Sequence, residues 1–208
     1  SNKKKSAYWV CAYANRQHDL GLDIGDDLDS TSFMKAMRKS QGTLLLLDSE
    51  ATAFSRIWCC YEVYETVCDD RRHLDIVTLK GKPQLLTERP LPNEHAFQKT
   101  LREQRFPLKL LARGMQVKLQ EGHASVERDR AIILLRMCRR AGGVGRTESL
   151  PDLADATATK KSVTNANRTL RAFFAMVAWP QAVKSGLVAK FPRTELSKTG
   201  ETTMALHE

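Results

Sequence analysis

Thr43-Leu44-Leu45-Leu46-Leu47-Asp48 is an unbroken apolar run set between Gly42 and an acidic turn. An apolar run with no alternation predicts a strand covered on both faces, as in parallel sheets flanked by helices. Asp48 then falls at the strand's carboxyl end. The neighbouring segments fit the same scheme. Upstream, Tyr8-Trp9-Val10-Cys11-Ala12-Tyr13-Ala14 is short, apolar and aromatic, and predicts a buried first strand. Asn15 to Ser30 is polar and rich in Gly and Asp, as a loop is. Ser30 and Thr31 can cap a helix running to about Lys39, with Phe33, Ala36 and Met37 on one face and Gly42 ending it. Downstream, Ser55 is positioned to cap a second helix. Its Ile57, Tyr61, Tyr64 and Cys68 fall at i, i+4, i+7 and i+11, and Asp69-Asp70-Arg71-Arg72 ends it. Leu74 to Leu79 predicts a third strand.

Gly81 to Pro92 reads as a Pro-rich loop, and Glu94 to Arg105 as a helix that Pro107 interrupts or restarts. Met115-Gln116-Val117-Lys118-Leu119 alternates and predicts a fourth, more exposed strand. Ser125 opens an amphipathic helix carrying Ile132, Ile133, Leu135 and Met137. Strands alternating with helices in this order predict an α/β fold with a mainly parallel, flavodoxin-like sheet and helices on both faces. The expected organisation is an α/β domain over 1–140, a linker of small and polar residues over 141–164, a C-terminal helical appendage over 165–189 and a tail over 190–208. The appendage's helix, Asn165 to Ala178, is expected to break at Pro180.

The five cysteines are odd in number and form no CxxC pair. That pattern fits neither a disulfide framework nor a zinc site, and no metal is expected. Reduced thiols predict a cytoplasmic protein. No run approaches the roughly 18 apolar residues of a membrane span, so no membrane partner is expected. Lys3-Lys4-Lys5 is followed by too short an apolar stretch for a signal peptide. The net charge is +9, and residues 139–208 hold 11 Lys and Arg against 6 Asp and Glu. This basic C-terminal third offers nucleic acid a binding surface, although no recognition motif accompanies it. Gly142-Gly143-Val144-Gly145-Arg146 lacks the GxxxxGK[ST] pattern of a phosphate loop.

In a parallel α/β sheet, ligands bind outside the carboxyl ends of the strands. Asn15 to His18, Asp48 to Glu50 and the start of the second helix should gather there. Trp58 and Glu62, four residues apart, share a helix face. An aromatic beside a carboxylate suits a ligand with a flat ring and a sugar. The competing reading makes Trp58 a packed aromatic and Glu62 a surface residue. His18 is as readily a solvated loop residue. No histidine stands in a definable relation to Cys59 or Cys60, which favours packing over thiol chemistry.

Two segments carry a resemblance. Ser55-Arg56-Ile57-Trp58-Cys59-Cys60-Tyr61-Glu62 resembles the S-x-W-C-x-x-E segment of Toll/interleukin-1 receptor (TIR) domains. Tyr8 to His18 is similar to a strand of fungal heterokaryon-incompatibility domains. Together they look like a set of algal and protist proteins sharing WVCAYANNQHDL…RIWCVYE, over roughly residues 7–138. The resemblance implies a TIR-like sheet and assembly with copies of itself or with other TIR-like domains, no cofactor being required. Some TIR domains cleave NAD+, and their essential glutamate maps onto Glu62. The resemblance therefore also implies an NAD+ nucleosidase with Glu62 as catalytic carboxylate and Trp58, Asn15, His18 and Asp48 around the substrate. A carboxylate near the ribose can stabilise the oxocarbenium-like centre left as nicotinamide departs. The first strand here matches the family's second, so the family's first strand–helix unit has no counterpart in this chain.

Overall fold

The computed structural model describes residues 7–10, 28–79, 81–87, 89–141 and 157–184. Asn15, His18, most of the expected first strand, residues 142–156 of the expected linker and the expected tail lie outside the described residues. After a 3-10 turn at Leu28–Ser30 come α1 (Ser32–Lys39), β1 (Gly42–Leu47), α2 (Ile57–Val67), β2 (His73–Thr78), β3 (Leu85–Thr87), α3 (Ala96–Glu103), α4 (Leu108–Met115), α5 (Glu127–Arg140) and α6 (Thr157–Lys184). The chain is therefore mixed α/β and mostly helical. No helix among the described residues is long and apolar enough to cross a membrane.

Local chemistry accounts for much of this. Thr31 Oγ1 accepts from the Met34 amide at 3.2 Å and caps α1. Phe33, Met34 and Met37 form its buried face. The expected cap of α2 moves: Ser55 ends a 3-10 turn at Thr52–Ser55, its hydroxyl bonded to the Thr52 carbonyl at 2.8 Å. The Ile57 amide instead donates to the His123 carbonyl at 3.0 Å, so a distant loop satisfies the helix start. Helix α2 is buried well beyond its Ile57/Tyr61/Tyr64 stripe: Cys60, Val63, Glu65 and Thr66 are also inside.

β1 and β2 pair in parallel, with Leu45 opposite Ile76, and α2 is the crossover between them. β3 pairs antiparallel with β2, Leu86 opposite Ile76, giving the order β1-β2-β3. The sheet is thus mixed, and its third strand lies inside the segment expected to be loop. The hairpin closes where the Thr78 amide donates to the Gln84 carbonyl at 3.1 Å.

The expected fourth strand is absent. Met115 ends α4, and an extended Lys118 leads into a 3-10 turn at Leu119–Glu121. The alternation is still visible in burial: Met115, Val117 and Leu119 face inward, Gln116 and Lys118 outward. The segment's backbone is satisfied by side chains of α6 rather than by a strand. The Leu119 amide donates to Asn167 Oδ1 at 2.8 Å, and Arg171 Nε donates to the Val117 carbonyl at 2.9 Å. Helix α6 begins before the expected Asn165 and continues past Pro180. It is integral to the core: Ala166, Leu170, Phe173 and Phe174 join Leu111, Met115 and Ile133 in one apolar cluster.

Helices cover one face of the sheet. On that face Leu45, Leu47, Leu74, Ile76 and Leu86 are buried. On the other, Leu44 is 45% and Leu46 49% exposed. Among the described residues, no helix lies over that face of β1.

Candidate functional site

Glu62 lies midway along α2, one turn beyond Trp58. It is half-buried, and its carboxylate makes no hydrogen bond or ion pair with any described residue. Burial pushes its carboxyl up to about 7, opposed by the Arg56 guanidinium. A carboxyl poised near neutrality can both give and take a proton, which is what acid–base chemistry requires.

The residues predicted around it are placed differently. Trp58 is a packed aromatic. Its ring meets Phe33 edge-on at 5.6 Å, Phe33 meets Trp9 at 5.9 Å, and the indole Nε1 donates to Asp129 Oδ2 at 3.4 Å. Asp48 does lie at the carboxyl end of β1, but its Oδ1 accepts from the amides of Glu50 and Thr52 at 3.1 and 2.9 Å. Those bonds, with the Thr52 hydroxyl first among them, hold its carboxyl below the usual range. It shapes the turn into α2. Asn15 and His18 fall outside the described residues. The structure thus brings Glu62 and Trp58 onto one helix, with Trp58 committed to packing and Asp48 to a turn.

The thiols follow the packing reading. Burial pushes Cys60 up to about 12 and Cys138 up to about 11, which removes thiolate character. Cys60 Sγ points at the Phe54 carbonyl at 3.4 Å.

Two features have no signal in the sequence. Asp129, the partner of Trp58, stands 71 residues away. Glu65 is buried under α5, where Arg140 pairs with it. On the same helix, Arg136 reaches Asp29 at 2.8 Å. The helical period of α2 marks Glu65 as part of a buried face only once the neighbours of that helix are known.

The described residues define a two-layer α/β protein with a one-sided sheet and a half-buried glutamate on its crossover helix. No protein-family model, curated protein or solved structure matches the chain.

Proposed function

We propose that this chain is a TIR-like interaction module that acts by associating with a second copy of itself. The observation that carries the reading is the uncovered leucine row. Leu44 and Leu46 of β1 and Leu79 just beyond β2 are 45%, 49% and 59% exposed. Leu46 stands in register with the half-buried Val77. An exposed apolar row of this kind, with Asp75 in register with Leu44, marks an interaction site. A two-fold axis over the sheet would place this row against its own copy, as aligned sheets pack about 10 Å apart. The commitment of Trp58 and Asp48 to structural contacts favours assembly over catalysis. In sedimentation velocity, the mass of the wild-type chain should rise with concentration, and Leu44→Lys/Leu46→Lys should remain monomeric with an unchanged melting temperature. A wild-type monomer at every concentration, or association undiminished in the variant, would sink the reading.

A second reading rests on a different feature, the half-buried Glu62 of α2, whose carboxyl bonds to no described residue and is pushed up by burial. A carboxylate held near neutrality suits NAD+ glycohydrolase chemistry, in which it orients the ribose and stabilises the cationic sugar. Nicotinamide release from NAD+ by the pure chain should then fall at least 100-fold in Glu62→Gln. Equal release from both proteins removes this reading.

A further inference from the structure

At the end of the molecule opposite the carboxyl ends of β1 and β2, a cleft of about 510 Å³ opens between α2 and α6. That volume is within the 300–1,000 Å³ range typical of small-molecule sites. One wall is a stripe of α6: Thr169, Ala172, Phe173 and Met176, spaced i, i+3, i+4 and i+7. Small Ala172 leaves the middle of that wall open. The floor is apolar, from Val67, Leu74 and Phe173. Two arginines supply the polar end, Arg72 from the turn before β2 and Arg89 from the segment after β3.

The polar end sets Asp69 and Asp70 beside Arg72 and Arg89, and Arg72 also faces the Glu65 charge. The Arg72 side chain is only 10% exposed. Its Nε meets Asp69 Oδ2 at 3.4 Å, and its terminal nitrogens make no hydrogen bond with another described residue. Asp69 is already engaged by Arg71, which donates to both of its oxygens at 2.9 Å. Arg89 pairs with no described residue. Asp70, the other acidic group on the lining, is exposed to solvent. A largely buried guanidinium whose terminal donors bond no other described residue is placed to receive an acceptor entering the cleft.

We infer that this cleft binds a small organic carboxylate, with the carboxylate bridging Arg72 and Arg89 and an apolar tail lying over Leu74 and Phe173 against Met176. The planar guanidinium presents paired donors that match a carboxylate. The apolar floor excludes a fully hydrated anion. The site is independent of the leucine face and of Glu62.

Isothermal titration calorimetry on the full chain tests this with hexanoate, acetate, hexan-1-ol and inorganic phosphate. Hexanoate should bind at one saturable site, at least tenfold more tightly than acetate, which lacks the tail, or hexan-1-ol, which lacks the charge. Arg89→Ala should weaken hexanoate at least fivefold, and Ala172→Phe, which fills the cleft, should abolish its binding. Both positions are exposed, so circular dichroism should show wild-type folding in each variant. No saturable heat with hexanoate, phosphate binding as tightly as hexanoate, or unchanged affinity in both variants would overturn the assignment.

Discussion

Glu62 and Glu65 lie three residues apart on α2 and hold their charge differently. Glu65 is 2% exposed; one oxygen is paired with Arg140, while Oε1 has no hydrogen-bond partner among the described residues. Burial pushes its carboxyl up, and Arg140, Arg136 and Arg72 pull it back. Removing one partner of a buried pair strands the other charge. Arg140 is itself partly exposed, so Arg140→Ala should cost about 1–3 kcal/mol in urea unfolding, and Glu65→Leu/Arg140→Leu should restore much of the loss. A double variant no more stable than the single one would show that the pair is not the main term. Glu62 titrates with a visible sign. Below pH 4.5 its carboxyl is protonated in both states. Between 4.5 and about 7 the unfolded chain releases the proton and the fold retains it, so stability falls as pH rises through that window. Glu62→Gln should flatten this decline by on the order of 3 kcal/mol, since one pKa unit is about 1.4 kcal/mol. An identical slope in the variant would assign the titration to another group.

Among the elements, the docking of α4 on α6 is sensitive to a single atom. A Cβ at Gly114 would lie 2.7 Å from the Phe174 ring, which is itself packed edge-on to Phe54 at 5.2 Å. Phe174 is buried and cannot swing away. Gly114→Ala gains helix propensity and still should destabilise by about 1–3 kcal/mol, because overpacking forces the two helices apart. Thermal unfolding with helix content unchanged at low temperature checks this; a stabilised variant would mean the helices slide freely. Along the chain, α1, β1, α2, β2 and α5 lie within a few residues of their sequence-based positions, since caps and apolar periods are local. β3 was hidden because Leu85-Leu86-Thr87 is three residues long and stands between Pro83 and Pro90. The alternation at 115–119 was real but misassigned: it reports burial, and the bonding groups come from Asn167 and Arg171 on α6.

At the scale of the molecule, the described residues cover one side of the sheet and leave Leu44 and Leu46 exposed on the other. For the candidate site, Glu62 was singled out by the resemblance of its W-C-x-x-E segment, and its half-buried place on α2 was not readable from the sequence. Nor were the commitments of Trp58 and Asp48, because Trp58 packs against Phe33 and bonds to Asp129, and Asp48 turns on backbone amides. From its sequence alone the chain is committed to a β-α-β core, to a capped helix before it and to thiols that pack. These follow from residue type and short-range period. Tertiary structure alone decided that β3 runs antiparallel, that α6 completes the core, and that Leu44 and Leu46 stay exposed while Leu45 and Leu47 are buried. Each of those depends on which distant groups meet the backbone and the apolar faces, as when Asn167 supplies the acceptor for an amide 48 residues earlier, and no local pattern encodes that choice.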